Sequence, residues 1–258
     1  MNGDGLNGQA AMRHVSWGIL VGCVILVLLL FPALGRGGLA AGDKVIFLGD
    51  SITAGGVLPN GYVSLFREGL FDAGLKASVE GAGVPGDTVL DLVARFERDV
   101  LKKNPSIVVI MVGLNDAYGA HLKKSGKELP LSKQVTPEIY RNTLQYMVRE
   151  IAKTGARVVI GTPSVVGERV SGGNPVDQWV EEFAEGARMV ARAEGLPLVE
   201  VRKGFKAYLK QYNHKDLEQG VLTYDSVHLN DAGNRLLADI FLEAFGLKSK
   251  NPGPGQQH

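Results

Sequence analysis

The chain has 258 residues, 45% hydrophobic and 21% charged, which is the composition of a folded globular protein and excludes a disordered or collagen-like chain. Its 28 lysines and arginines nearly balance its 27 aspartates and glutamates, and the net charge of +1 argues against a dedicated nucleic-acid-binding protein. The single cysteine, Cys23, excludes an internal disulfide framework and a zinc cluster held by cysteines.

The N-terminal segment is strongly apolar, since residues 15–35 contain no charged side chain and are centred on VGCVILVLLLF. About 20 apolar residues can span a bilayer, whereas the apolar core of a cleaved secretion signal has about 7 to 15, and this segment fits both descriptions. We expect residues 1–42 to be a signal peptide, cleaved near Ala40 or Ala41, or a membrane anchor that acts through residues 15–35. Either outcome predicts a secreted or extracytoplasmic protein.

From residue 43 onward, short β-branched apolar runs alternate with amphipathic segments. The runs predict strands at residues 44–49, 78–81, 106–113, 157–162 and 196–201, and the amphipathic segments predict helices at residues 61–73, 88–103, 137–153, 176–193 and 231–245. Continuous apolar strands separated by helices are typical of a parallel sheet covered on both faces. The predicted fold is a three-layer α/β/α sandwich with a parallel sheet of about five strands over residues 43–247, followed by a disordered Pro/Gly-rich tail at 248–258.

Two long segments interrupt this alternation, residues 117–136 and 163–175, and both are predicted to be loops. Each follows the carboxyl end of a predicted strand, which is where ligands bind in open α/β sheets. We therefore expect the two loops to form the walls of a pocket.

Ser51 follows the first predicted strand directly, within the sequence GDSIT. A serine at the end of a strand and before a tight turn can present its hydroxyl at the top of the sheet as a nucleophile. Serines in this position also cap the next helix or hold a turn, so Ser51 alone leaves both roles open.

Asp225 and His228 form a D-x-x-H motif just before the last predicted helix. A serine hydroxyl needs an imidazole to take its proton, and the imidazole needs a carboxylate to fix its tautomer. His121 and His214 have no carboxylate three residues before them, so His228 is the best candidate for the base. A surface histidine beside a helix capped by Asn230 remains the structural alternative.

Two further strand ends offer donors for an oxyanion hole, which stabilises the negative charge that develops on an acyl carbonyl. Gly86 lies in GAGVPGDT, where the lack of a Cβ lets a backbone N–H approach a substrate. Asn115 lies in GLND, at the end of the most hydrophobic predicted strand, and its side-chain amide can donate. With the N–H of Ser51 this makes three donors, although turns at Gly86 and Asn115 would explain the same residues.

Together, these motifs resemble those of the SGNH hydrolases, also called GDSL esterases and lipases. Four blocks are similar to the family's and occur in its order: Gly49-Asp50-Ser51, Gly86, Gly113-Leu114-Asn115-Asp116 and Asp225-x-x-His228. The resemblance implies a flavodoxin-like three-layer fold, Ser51 as nucleophile, Asp225 and His228 as its catalytic partners, and an oxyanion hole formed by Ser51, Gly86 and Asn115. No metal or organic cofactor is expected. Many members have asparagine near the start of the second block, where this chain has Gly81, so a hydrogen bond that braces this loop is expected to be absent.

Two other classes of protein remain as alternatives. Gly81-x-Gly83-x-x-Gly86 satisfies the dinucleotide-binding fingerprint, but Pro85 removes one N–H from the phosphate cradle and no acidic residue follows at the ribose position. A non-catalytic lipid or carbohydrate binder of the same fold would be expected to lack part of the catalytic set, and every member is present.

The resemblance implies hydrolysis of a carboxylic ester through an acyl-enzyme but leaves the ester open. We expect a lysophospholipase or short-chain acyl esterase, with an O-acetylesterase acting on cell-wall polysaccharide as the alternative. Lys123, Lys124 and Lys127 would suit an anionic substrate, although a solvated cluster explains them more simply. The expected partner is a small-molecule, glycan or lipid ester, with no nucleic acid.

Overall fold

The computed structural model of the chain describes residues 38–248. Residues 1–37, with the predicted signal or anchor segment, and residues 249–258, with most of the predicted tail, lie outside the described residues. Within residues 38–248, no helix is both long enough and apolar enough to cross a bilayer. The leader and the tail therefore stay predictions.

Five parallel strands form one sheet in the described chain, as the sequence predicts. The strands are β1 (Lys44–Gly49), β2 (Ser78–Gly83), β3 (Ile107–Met111), β4 (Arg157–Gly161) and β5 (Leu198–Val199), in the spatial order β2-β1-β3-β4-β5. In the register of the first three strands, Gly83, Gly49 and Met111 lie side by side. The segments that follow these strands therefore leave the sheet from one row.

Helices cover both faces of the sheet and complete the predicted three-layer sandwich. They are α1 (Ser51–Gly56), α2 (Tyr62–Asp72), α3 (Val89–Asp99), α4 (Leu114–Lys124), α5 (Pro137–Lys153), α6 (Asp177–Ala193), α7 (Val201–Tyr212) and α8 (Asp231–Ala244), with short 3-10 helices at Leu101–Lys103 and Leu131–Lys133. One group of packed helices contains α1, α2, α7 and α8, and the other contains α3, α4, α5 and α6. The predicted fold class is confirmed.

The interior strand β1, which lies between β2 and β3, is buried on both faces, since residues 45–48 expose at most 1% of their surface. Phe47 makes edge-to-face contacts with Tyr62 and Phe66 of α2 and with Phe241 of α8, at ring separations of 5.4, 5.2 and 5.2 Å. This aromatic cluster holds α2 and α8 against β1. It thereby fixes the strand that leads into the candidate nucleophile.

The prediction of a loop at residues 117–136 is wrong for its first part, because α4 extends to Lys124. Small residues hide this helix in the sequence: its buried positions include Leu114, Ala117, Gly119 and Ala120. Gly119 packs so closely that a Cβ there would lie 2.2 Å from a backbone oxygen. Alanine and glycine give too little hydrophobic contrast for a periodicity argument to detect the helix.

Other boundaries differ by a few residues, and the helices α1 and α7 were not predicted. The predicted strand at 196–201 is reduced to the two residues of β5, because Val201 already begins α7. β2 continues two residues beyond its predicted end, to Gly83. The loop predicted at residues 163–175 contains no helix or strand, as expected.

Candidate active site

Ser51 is the first residue of α1 and lies two positions beyond the end of β1. The turn between the two elements is held by Asp50, whose buried carboxylate accepts a hydrogen bond from Ile52 N–H at 3.0 Å and caps the helix. Because Asp50 is the cap, the structural role that the sequence left open for Ser51 is already filled. The hydroxyl of Ser51 is presented at the carboxyl edge of the sheet.

The glycines of the GAGVPG segment have a structural explanation other than phosphate binding. A Cβ at Gly81 would come within 2.3 Å of the Val57 side chain, and a Cβ at Gly83 would come within 2.2 Å of the Ala54 nitrogen. Gly86 has a φ of +83°, which glycine adopts at little cost. Helix packing and a turn thus account for the dinucleotide-like pattern without a nucleotide.

The imidazole of His228 lies between Ser51 and Asp225. Its Nε2 is 3.0 Å from Ser51 Oγ, and its Nδ1 is 2.7 Å from Asp225 Oδ2. A carboxylate at Nδ1 keeps the proton on that nitrogen, which leaves Nε2 as an acceptor for the serine hydroxyl. The structure therefore brings the three sequence-predicted residues together in the order that proton transfer from a serine requires.

Asp225 is held by the backbone of its own turn. Its Oδ1 accepts hydrogen bonds from His228 N–H at 2.7 Å and from Val227 N–H at 3.1 Å. Partial burial raises the pKa of Asp225, but the hydrogen bonds from the His228 ring and from these two N–H groups outweigh burial and keep the pKa below its ordinary value. The carboxylate is therefore ionised at neutral pH, as stabilisation of an imidazolium requires.

The three residues that supply the expected oxyanion donors each follow one of the strands β1, β2 and β3, and the ends of these strands lie side by side. Asn115 is the second residue of α4, and its Nδ2 donates a hydrogen bond to the Asp87 carbonyl oxygen at 2.9 Å. This bond occupies one of the two amide hydrogens and joins Asn115 to the residue after Gly86. The N–H of Ser51 belongs to the first turn of α1, where backbone donors have no partner within the helix.

Arg95 of α3, a residue that was not predicted to contribute to the site, joins the ends of two strands to the loop that contains Gly86. It donates hydrogen bonds to the Asp87 carboxylate at 2.6 Å, to the Gly49 carbonyl oxygen at 2.9 Å and to the Ala82 carbonyl oxygen at 3.0 Å. Only a long, planar side chain with several N–H groups can serve all three acceptors. The sequence gives no signal for this role, since the Gly49 and Ala82 acceptors are backbone oxygens.

Lys133 braces the same loop from the other side. It donates hydrogen bonds to the Gly86 carbonyl oxygen and to the Asp91 carboxylate, the latter at 2.7 Å. The sequence led us to expect that a brace would be absent, because Gly81 stands where many family members have asparagine. Arg95 and Lys133 supply bracing hydrogen bonds to this loop by a different route.

Two buried carboxyl groups adjoin the site: Asp50 exposes 2% of its surface and Asp116 exposes 0%. Burial raises the pKa of Asp50 to about 6 and the pKa of Asp116 to about 7, and the charge of Asp50 adds to the shift of Asp116. Asp116 Oδ1 accepts a hydrogen bond from Val89 N–H at 3.1 Å, whereas its Oδ2 has no hydrogen-bond partner in the described part of the chain. Both groups therefore bind a proton in the folded protein at a pH where they would lose it in the unfolded chain.

Ser51 and His228 line an open cavity of about 250 Å³. Tyr224 forms one wall: it is 63% exposed, and its ring stacks on the His228 ring at 5.8 Å with the planes 18° apart. The lining comes from residues 51–61 and 224–234, so the prediction that 117–136 and 163–175 form the walls is wrong for this cavity. Residues of the 163–175 loop instead line a separate polar cavity of about 300 Å³.

A three-layer sandwich that holds a serine, an imidazole and a carboxylate in hydrogen-bonding series at the carboxyl edge of its sheet has the arrangement of a serine hydrolase. Residues 47–236 match the GDSL-like Lipase/Acylhydrolase family, and the chain belongs to this family. The resemblance to SGNH hydrolases is thus confirmed. The protein is an enzyme that hydrolyses carboxylic esters.

Its relatives include esterases of several names. The acetylxylan esterase of Geobacillus stearothermophilus is 29% identical over 226 residues, which cover 81% of this chain and 97% of the relative. The arylesterase of Vibrio mimicus is 28% identical over 152 residues, which cover 57% of this chain and 68% of the relative. The crystal structure of the acetyl xylan esterase AlAXEase matches with a TM-score of 0.71 and 35% identity, covering 78% of this chain and 98% of that chain.

The raised pKa of Asp116 predicts a specific pH dependence of stability. Below about pH 4 the carboxyl is protonated in the folded and unfolded chains alike. As the pH rises from about 4 through about 7, the unfolded chain loses this proton before the folded protein does, and the free energy of unfolding falls. Asp116→Asn keeps an acceptor for Val89 N–H but cannot ionise. We expect its free energy of unfolding, measured by urea denaturation at pH 4, 6 and 8, to fall less with rising pH than that of the wild type. Parallel pH curves for the two proteins would contradict this prediction.

Proposed function

We propose that the protein is a serine esterase that works through an acyl-enzyme, with Ser51 as nucleophile, His228 as general base and Asp225 as the group that orients and stabilises the imidazole. The observation that carries the proposal is the unbroken hydrogen-bond series from Ser51 Oγ through both nitrogens of His228 to Asp225. Such a series activates a hydroxyl whose pKa is otherwise far too high for it to act as a nucleophile.

The reaction runs in two steps. Ser51 Oγ attacks the ester carbonyl while His228 Nε2 takes its proton, and the negative charge on the carbonyl oxygen is stabilised by the N–H groups of Ser51 and Gly86 and by the amide of Asn115. His228 then returns the proton to the leaving alcohol, which yields the acyl-enzyme. Water, activated by the same imidazole, hydrolyses the acyl-enzyme and restores Ser51.

We propose that the substrate is a carbohydrate whose hydroxyls carry acetyl esters. This substrate is the alternative that the sequence left open. Two of the three similar proteins named above are acetylxylan esterases, and both match over nearly their whole length. The cavity beside Ser51 is open, and the polar residues Asn60 and Asp231 are part of its lining. Tyr224 offers an exposed aromatic face beside the base, which suits the C–H groups of a sugar ring.

Short-chain acyl esters remain the second candidate, because the Vibrio relative is named an arylesterase. Leu58 and Leu229 give the cavity an apolar part that could receive a small acyl group. A lysophospholipid is the weaker option, since its acyl chain is far longer than a cavity of about 250 Å³ accommodates. The apolar segment 15–35 leads us to propose that the enzyme acts outside the cytoplasm, where structural polysaccharides occur.

Substitutions in the catalytic set test the mechanism. Ser51→Ala should abolish both the burst of p-nitrophenol from p-nitrophenyl acetate and labelling by a fluorophosphonate probe. Asn115→Ala should fold but lose about 10²- to 10³-fold in kcat, because one oxyanion donor is removed. Full activity in Ser51→Ala would overturn the mechanism, and circular dichroism of each variant checks that the fold is retained.

The acyl preference follows from the small open cavity. Across p-nitrophenyl acetate, butyrate, octanoate and palmitate, we expect kcat/KM to be highest for the acetate and to decline steeply beyond the butyrate. Acetate release from acetylated xylooligosaccharides, measured by chromatography, should accompany this preference. A maximum at octanoate or palmitate would reject the acetylesterase proposal and favour a lipase-like enzyme, with the catalytic set unchanged.

Tyr224 provides a separate test of the carbohydrate. Tyr224→Ala removes the exposed ring and should lower kcat/KM for acetylated xylooligosaccharides by up to about tenfold, while kcat/KM for p-nitrophenyl acetate changes by less than about twofold. Tyr224→Phe is the matched control, because it keeps the ring and should retain activity on both substrates. An equal loss on both substrates in Tyr224→Ala would show that the ring supports His228 and does not bind sugar.

A further inference from the structure

The segment that carries the candidate base has little regular structure of its own. It connects α7 to α8 through residues 213–230, and a single antiparallel bridge between Thr223 and Leu229 closes its tip. Ser51, by contrast, is fixed by a buried strand and a helix. The distance between nucleophile and base therefore depends on whatever holds this segment in place.

Glu168, from the loop at 163–175, is fully buried and binds this segment with both of its carboxylate oxygens. Oε1 accepts hydrogen bonds from the N–H groups of Leu222 and Thr223 and from the Thr223 hydroxyl, at 2.5 to 2.7 Å. Oε2 accepts one from Val221 N–H at 2.7 Å. Four donors thus converge on one side chain just before the D-x-x-H turn.

The backbone beside Glu168 reaches the same segment at two more points. Gly167 N–H donates to the Ser226 carbonyl oxygen at 2.8 Å, inside the turn that joins Asp225 to His228. Glu168 N–H donates to the Glu218 carbonyl oxygen at 3.0 Å. The contacts of residues 167 and 168 therefore lie on both sides of Asp225 in the sequence.

The chemistry of these contacts demands a carboxylate. A buried charge is tolerated only when hydrogen bonds replace its hydration. The four donors to the Glu168 side chain are neutral groups, and the three from Leu222 and Thr223 are buried and would otherwise lack a partner. A glutamine has one acceptor oxygen, and its NH₂ group would face a backbone N–H. No uncharged side chain of this length satisfies the same four donors.

We propose that Glu168 is a positioning residue for catalysis: it fixes residues 218–226 so that His228 stays within hydrogen-bond distance of Ser51. The proposal rests on the proposed function, in which His228 is the base. Because a displacement of about 1 Å in a catalytic group can cost about 100-fold in rate, loss of this anchor should act on the chemical step and spare substrate affinity.

The test compares Glu168→Ala and Glu168→Gln with the wild type on p-nitrophenyl acetate. We expect kcat to fall by about 10- to 100-fold in Glu168→Ala, with KM changed by less than about twofold, and the rate of fluorophosphonate labelling to fall by the same factor as kcat. Glu168→Gln, which retains one acceptor oxygen, should lie between Glu168→Ala and the wild type.

Met147→Ala is the matched control for a general loss of stability, since Met147 is fully buried in α5 and makes no hydrogen bond to the 213–230 segment. It should lower the melting temperature and leave kcat and the labelling rate of the folded protein unchanged. If Glu168→Ala behaves like Met147→Ala, Glu168 is merely structural and the proposal is wrong.

If Glu168→Ala does not fold, Glu168→Gln and Thr223→Val decide the matter. Thr223→Val removes only the hydroxyl donor to Oε1, and both variants should still lower kcat without raising KM. Wild-type kcat in both would overturn the proposal. Ser51→Ala, assayed in parallel, keeps the two hypotheses apart: activity in that variant refutes the proposed mechanism, whereas an inactive Ser51→Ala beside a fully active Glu168→Ala refutes only the role of Glu168.

Discussion

The parallel register of β1, β2 and β3 is the constraint from which the site follows. Gly49, Gly83 and Met111 end their strands in one row, and adjacent strands in a sheet are about 4.8 Å apart. Ser51, the candidate nucleophile, and the expected oxyanion donors follow these strand ends within a few residues, so their separation is set by the hydrogen bonding of the sheet. The positions of Ser51 and of the expected oxyanion donors are thus set by the sheet, whereas the position of His228 depends on the contacts of the 213–230 segment.

The sequence was sufficient for features that depend on strong local patterns. Apolar runs in β1, β3 and β4 are long enough to identify strands buried on both faces, and α5 has the predicted bounds, with Thr136 as its cap. It was insufficient where packing replaces hydrophobic contrast, as in α4, whose buried face contains alanine and glycine. The residues of the candidate triad were predicted from chemistry, spacing and the family resemblance. Arg95, Lys133 and Glu168 were not predicted, because each binds backbone groups that lie far away in the sequence.

The carboxyl groups around the site have pKa values that are shifted in opposite directions. Asp225 keeps its pKa low through hydrogen bonds, whereas Asp50 and Asp116, only one residue away from Ser51 and Asn115, have raised pKa values because burial dominates. The hydrogen bond with which Asp50 caps α1 offsets part of the free-energy cost of burying its carboxyl group. One oxygen of Asp116, by contrast, has no hydrogen-bond partner within residues 38–248. Native proteins accept such local costs most often at functional sites.

The dependence of the 213–230 segment on residues 167 and 168 has a consequence for engineering. Residues 167–168 and the 213–230 segment lie about 50 residues apart in the chain but form one structural unit, because backbone N–H groups of the segment bind the Glu168 carboxylate. Grafting the histidine-bearing loop alone from another esterase would leave Glu168 facing foreign amides, while the strand-borne nucleophile would be undisturbed. Chimeras that change substrate range should therefore exchange both stretches at once and leave the first half of the chain intact.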